Sequence, residues 1–163
     1  QYGIEKFFSD FHQAGVNSVL IADLSIDDAD EIIAPAASTG LDTVFIVTPI
    51  TDTERMKLIA SKTTGFIYTV SVLGVTGSRN NLSDTVEGLV RKLKTLTSIP
   101  VCVGFGISKA EHAAAVAAAG ADGVIIGSKI VSLIEENLDS KEKTLAEISS
   151  FISEVKKVLP RAD

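Results

Sequence analysis

The chain has 163 residues, 45% hydrophobic and 22% charged, with a net charge of −6. These values describe one globular domain able to bury roughly 70% of its unfolded surface, and they exclude a disordered or low-complexity chain. With 15 basic against 21 acidic residues, a nucleic-acid groove is disfavoured, whereas a small phosphorylated ligand held by backbone amides is not. No apolar run approaches the roughly 20 residues that cross a bilayer, and no signal peptide is visible. The single cysteine, Cys102, lies in the apolar run Pro100-Val101-Cys102-Val103; it reads as a small buried hydrophobe, and the lack of disulfides fits a reducing compartment. The chain opens at Gln1 and runs straight into a helix, as expected of a piece of something longer or a processed product.

Ile4, Phe7, Phe8 and Phe11 share one face of a first helix near 4–14, which Gly15 ends. Residues 18–22 read as a strand. Ser25 and Asp28 resemble a capping box, opening a helix to about Ser38 that Pro35 should bend or shorten and Gly40 should stop. Residues 43–47 form a second strand, and Thr51 with Glu54 a second box leading a helix to about Ala60. A third strand over 66–72 runs into a long glycine-rich loop, 72–82, after which Ser83 caps a helix with Val86, Leu89, Val90, Leu93 and Leu96 on one face. A fourth strand covers 101–104. Ser108 and Glu111 form a third box for an alanine-rich helix ending at Gly120. A fifth strand at 124–127 leads to a short helix from about Lys129. A last helix, about 143–159, turns Leu145, Ile148, Phe151, Ile152 and Val155 inward.

Strands alternating with helices call for a parallel sheet with helical crossovers, and near-continuous apolar strands are those covered on both faces. Periodicity leaves two architectures open, a small doubly wound sheet and an incomplete (β/α)8 barrel, since a full barrel takes about 250 residues. In either, reactive groups sit beyond the C-terminal ends of the strands. The candidates are therefore Asp23, Thr48, Ser71, the 72–82 loop with Thr76 and Arg79, Gly104 to Ser108, and Gly127 to Lys129. Gly104-Phe105-Gly106 and Gly127-Ser128 follow consecutive strands; glycine turns and helix-start amides at adjacent strand ends suit a phosphate. The 72–82 loop reads as a lid. Asp23 is a general base or, more in keeping with its neighbours, a cap or interface residue. Tyr68, mid-strand, points either inward or toward the helices. His12 and His112 lie on helices remote from the strand tops and are assigned to surface or packing. No nucleophilic triad, metal-ligand spacing or nucleotide loop is present, so neither a metal nor another cofactor is expected.

Taken together, Tyr2-Gly3-Ile4-Glu5, Val19 to Leu24, Gly65 to Tyr68, Ser71-Val72-Leu73-Gly74-Val75-Thr76-Gly77, Val103 to Ser108 and Ala121 to Ser128 resemble the tryptophan synthase α subunit over nearly the whole chain. The resemblance implies a (β/α)8 TIM-barrel family member, with residues 1–163 as a single partial TIM-barrel domain of five parallel strands and surrounding helices. It implies cleavage of indole-3-glycerol phosphate to indole and glyceraldehyde 3-phosphate. Gly77, Gly106, Gly127 and Ser128 would bind the phosphate; Leu20, Tyr68, Phe105 and Ile125 would line the indole pocket; Thr76 would sit in the closing loop. Asp23 and the loop after it would lie toward a β subunit, which uses pyridoxal phosphate to consume indole. The family usually has proline where this chain has Ser25.

The resemblance also implies what is absent. The first three strands of the barrel would precede this chain, together with the catalytic Glu on strand two and the catalytic Asp in the loop after it, so no residue here is assigned as catalytic. The expected parent is a lyase of tryptophan biosynthesis in the cytoplasm, or in the plastid stroma of a plant. This chain alone is expected to be inactive, to pair with the β subunit and to self-associate through open strand edges. Two alternatives stand beside this: another phosphate-binding barrel, such as an indole-glycerol-phosphate synthase or phosphosugar isomerase, and an inert binding or self-assembling fragment.

Overall fold

The structure is a computed structural model that describes residues 2–70, 79–104 and 106–159. Its elements run α1 (Ile4–Gln13), β1 (Ser18–Leu20), α2 (Asp30–Thr39), β2 (Asp42–Val47), α3 (Thr53–Lys62), β3 (Ile67–Val70), α4 (Arg79–Leu96), β4 (Val101–Gly104), α5 (Ala110–Ala118), β5 (Gly123–Val124), α6 (Ser128–Glu135) and α7 (Lys141–Val158). The five strands form one parallel sheet in the order β1-β2-β3-β4-β5. Chain order equals spatial order, so each crossover moves one strand along in the same direction, as in the wall of a (β/α) barrel and unlike a doubly wound sheet, whose strand order reverses.

Register sorts the strand residues into two faces. Val19 pairs with Thr43, Phe45 with Ile67, Val47 with Thr69, Ile67 with Val101 and Thr69 with Val103; all of these are buried. They form one core with Phe8 of α1, Ile32 of α2, Met56 and Ile59 of α3, Leu93 of α4, Val116 of α5 and Phe151 of α7. The alternate row, Leu20 with Val44 and then Ile46–Tyr68–Cys102–Gly123, faces the other way. Its members are mostly half-buried, and among the described residues the helices pack on the opposite face.

The helix starts depart from the sequence expectation in a consistent way. Ser25 Oγ does accept from a local N–H, that of Asp27 at 3.3 Å, but this closes a turn; α2 begins only at Asp30, with no side-chain cap on its first residue. Thr51 Oγ1 accepts from the Thr48 N–H at 3.0 Å, and the cap of α3 is Asp52, which accepts from Arg55 N–H at 2.8 Å. Ser83 lies inside α4, which starts at Arg79; the run Arg79-Asn80-Asn81-Leu82 holds no Pro or Gly to stop it. The C-terminal part of the expected 72–82 loop is thus helical, and residues 71–78 lie outside the described residues. Pro35 is accommodated inside α2, where its carbonyl accepts the Ser38 and Thr39 hydroxyls.

At the other end, β5 is only Gly123–Val124 rather than 124–127, although Ile125 N–H still donates to Val103 O at 2.8 Å. The α7 helix starts two residues before the expected Lys143, with Ser140 accepting from Lys143 N–H. Leu145, expected inward, is 56% exposed; it lies N-terminal to the stripe of Ile148, Phe151, Ile152 and Val155 that reaches the core.

Candidate functional site

Three of the expected pocket residues lie on the open face of the sheet. Leu20 ends β1 on the row of Val44 and Ile46; Tyr68 stands in the middle of β3 between Ile46 and Cys102; Ile125 follows Gly123 by two positions on the same face. The side of Tyr68 that the sequence left undecided is therefore the open one. Its ring leans over the end of β4: a Cβ built at Gly104 would stand 2.6 Å from Tyr68 Cζ and closer still to the hydroxyl. Gly104 is thus the residue that makes room for the Tyr68 ring, because only a residue without Cβ fits beneath it. The next glycine along the row, Gly123, faces Cys102 in the same manner, with Sγ 3.0 Å from where a Cβ would be. Burial, and then the Asp122 carboxylate, push the Cys102 thiol up from its ordinary value, so it is a packing group and not a nucleophile.

Two of the expected anion-binding turns flank this face. Gly106 is exposed and holds φ +47°, a left-handed conformation that glycine adopts without strain. Gly127 immediately precedes α6, and Ser128 is the first residue of that helix. The Ile130 and Val131 N–H groups return to Gly127 O at 2.9 and 3.2 Å. Among the described residues, nothing accepts from the amides of Ser128 and Lys129, and no side chain caps the helix. Unpaired first-turn amides at the positive end of a helix dipole, on an exposed Ser128 and a half-buried Lys129, are competent for an anion. Thr76, Gly77, Phe105 and Ser71 lie outside the described residues, as does the side chain of Arg79.

The remaining candidates sort by contact. Asp23 is exposed in the turn after β1 and starts no helix, since α2 begins at Asp30. Thr48 sits in a turn closed by Thr51 N–H to Thr48 O at 3.0 Å and by its own N–H to Thr51 Oγ1. His12 lies in the last turn of α1, which leads into the opposite end of β1. His112 is different and corrects the sequence reading. Its Nδ1 is 3.2 Å from Gly106 O and 3.4 Å from Ser108 N, so it touches the very turn from which it was judged remote. Spacing holds a signal for this. The helix is capped one residue later than expected, at Lys109, which moves the third helical position from Glu111 to His112; in a capping box that position reaches back to the preceding backbone.

Nearby, a cavity of about 220 Å³ opens between the loop after β1 and α3, lined by Ile21, Leu24, Phe45, Ile46, Arg55 and Ile59 among others. Arg55 closes its rim by donating to Asp27 at 2.8 Å and to Ser25 Oγ at 3.3 Å. The guanidinium, with the Ser25 hydroxyl, holds the Asp27 carboxyl below its usual range. No group of three potential metal ligands occurs among the described residues.

A parallel sheet wound in chain order, with an open inner face and glycine turns at the C-terminal ends of its last strands, belongs to the (β/α)-barrel class. The sequence matches the family model described as tryptophan synthase alpha chain over residues 1–160. It is 40% identical over 155 residues to the tryptophan synthase alpha chain of Methanoregula boonei, covering 95% of this chain and 58% of that protein. To the Geotalea uraniireducens alpha chain it is 47% identical over 135 residues, covering 83% and 50%. Among solved structures it is similar to one from a study of mutual activation in the tryptophan synthase α2β2 complex of Pyrococcus furiosus, with TM-score 0.85, 35% identity, and 95% of this chain covering 61% of that one. The chain belongs to the tryptophan synthase alpha chain family. It spans between a half and three fifths of the length of these curated relatives.

Proposed function

We propose that the chain supplies the phosphate cradle and part of the indole pocket of an indole-3-glycerol-phosphate lyase in tryptophan biosynthesis. The observation that carries this is the arrangement of Gly106 and Gly127-Ser128 at the ends of adjacent strands, beside the open face that bears Leu20, Tyr68 and Ile125. The unpaired amides of Ser128 and Lys129 would meet the phosphate dianion, joined by Gly106 and Gly77. The apolar row would take the indole ring, with Tyr68 propped over Gly104 as one wall and Phe105 as another. Thr76 would close the site from the 72–82 loop, which acts as a lid.

Cleavage of the carbon–carbon bond needs a proton delivered to indole C3 and one removed from the glycerol hydroxyl, work for paired carboxylates acting as general acid and base. No residue here is assigned as half of such a pair: Asp23 lies in the exposed turn after β1, and Asp52, after β2, is taken up in capping α3. The chain by itself is therefore a binding unit: holding substrate without a positioned acid and base lowers no chemical barrier. The family's catalytic Glu and Asp would come from the strands that the resemblance puts ahead of this segment. The Asp23 loop and the other turns at the same end would meet a β subunit, as in the α2β2 complex named for the Pyrococcus furiosus protein. The proposed setting is the cytoplasm, or the plastid stroma in a plant, and the open strand edges would favour self-association or pairing with further strands.

The test is an indole-release assay combined with sizing and phosphate titration. The expected result is inorganic phosphate binding without turnover by the chain alone, and indole release once a segment carrying the three preceding strands is supplied. A monomeric 163-residue chain that turns over indole-3-glycerol phosphate at family-typical rates would overturn the reading.

A further inference from the structure

We infer that His112 is a positioning residue for anion binding: from the first turn of α5 it clamps the Gly106–Ser108 turn in the conformation that the phosphate cradle requires. The inference rests on the phosphate reading above and assigns it a residue outside the glycine turns.

Three observations lead to His112. The Gly106 carbonyl and the Ser108 N–H both face one atom, His112 Nδ1, at 3.2 and 3.4 Å. A neutral imidazole with its proton on Nε2 accepts from Ser108, and one with its proton on Nδ1 donates to Gly106 O. Either bond spans the turn, so the clamp works in both tautomers. Second, among the described residues the turn has few other hydrogen bonds to hold it. Gly106 is exposed at φ +47°, a conformation that glycine leaves easily, and the Lys109 side chain makes no capping bond to α5. Ile107, buried at 5% exposure, anchors the middle of the turn in the core; His112 anchors its backbone on either side. Third, the clamp is rigid at its own end. His112 N–H bonds Lys109 O at 3.2 Å, and its neighbour Ala113 is fully buried, so the helix turn that carries the imidazole cannot swing away from the loop.

Loss of the clamp leaves a glycine turn free to sample other conformations, and an anion must then reorder it on binding. A dissociation constant about 3- to 10-fold larger is expected, equivalent to about 0.6–1.4 kcal/mol, the net contribution of one hydrogen bond.

The experiment titrates the 163-residue chain and its His112→Leu and His112→Asn variants with inorganic phosphate, and follows Ser108 amide hydrogen exchange in each. His112→Leu keeps bulk and removes both bonds; His112→Asn replaces the ring nitrogen with an amide group able to accept from Ser108 or donate to Gly106. Phosphate binding about 3- to 10-fold weaker in His112→Leu, with faster Ser108 exchange and recovery to within about twofold in His112→Asn, is the expected outcome. Native-like binding and exchange in His112→Leu would overturn the positioning role alone. Absence of phosphate binding by the unmodified chain would overturn the phosphate reading, and the positioning role with it.

Discussion

The two ends of the sheet are built on opposite terms. At the end where the strands begin, backbone and side chains answer one another internally. Thr43 N–H donates to Thr64 Oγ1 at 2.9 Å and the Thr43 hydroxyl to Lys62 O at 2.8 Å; Val101 N–H donates to Asp122 Oδ2 at 2.7 Å, and Lys94 Nζ holds the same carboxylate at 2.8 Å. Ile67 N–H meets Pro100 O at 2.8 Å and Asp42 N–H meets Asn17 O at 2.9 Å. At the end where the strands finish, the amides of Ser128 and Lys129 have no acceptor among the described residues, Gly106 is exposed in a left-handed conformation, and one imidazole reaches both sides of the turn. The first end stabilises; the second is the end at which barrels place their ligands, and it is where the proposed phosphate would complete the hydrogen bonding.

This contrast can be broken most severely at Gly104, where both requirements meet. Gly104→Val is expected to drive a side chain into the Tyr68 ring, costing about 1–3 kcal/mol of stability and displacing the pocket wall. Urea denaturation and an indole titration should register both losses, and a variant with native stability would show that Tyr68 moves aside freely. Gly127→Val separates the two ends cleanly. A Cβ there meets nothing within 4 Å and the backbone φ is −113°, so stability should change by no more than about 0.5 kcal/mol. Inorganic phosphate should bind about tenfold or more weakly, equivalent to about 1.4 kcal/mol. Calorimetry decides it, and unchanged affinity would remove Gly127 from the cradle.

At the stabilising end, Asp122→Asn should cost about 1 kcal/mol, a modest figure because the side chain is 41% exposed and solvent screens its pair with Lys94. Burial raises the Asp122 carboxyl, but the Lys94 ammonium and the Val101 N–H outweigh it and hold the group below its ordinary value. A depressed folded-state value means that the contribution is fully present above the ordinary carboxylate range and is lost as pH falls through the folded value. Denaturation midpoints for the native chain and Asp122→Asn should therefore differ at pH 7 and converge toward pH 3. The smallest effect is expected from Arg55→Ala. The Arg55–Asp27 pair is largely exposed, so the thermal midpoint should not move measurably, while amide exchange across 24–27 should quicken as the loop after β1 loses its tie to α3.

Much of this was legible from residue order. Apolar periodicity located all five strands and seven helices, because burial of a helical stripe or a strand face leaves its period in the sequence. The sequence put glycines at the ends of the fourth and fifth strands, and Gly104 does close β4 while Gly127 immediately precedes α6. The capping boxes were the weakest signal. Ser25, Thr51 and Ser108 each suggested a helix cap, and each N-cap falls one to four residues later. A hydroxyl bonds whichever amide the turn presents first: Ser25 takes Asp27 and Thr51 takes Thr48. The motif therefore marks a turn reliably and a helix start only when the chain's exit from the strand allows it.

What residue order alone determined is the alternation of elements, the core stripes and the glycine turns, since each depends on local conformation and on burial repeated along one segment. Only the tertiary structure decided which face of β3 carries Tyr68, because a period of two distinguishes faces without naming them; the register through Ile46 and Cys102 does that. It also decided that Gly104 lies under the Tyr68 ring and that His112 reaches Gly106 and Ser108. Both contacts join segments whose meeting depends on strand pairing and on the angle at which α5 leaves β4, and such relations are set by packing between elements and leave no period within any one of them.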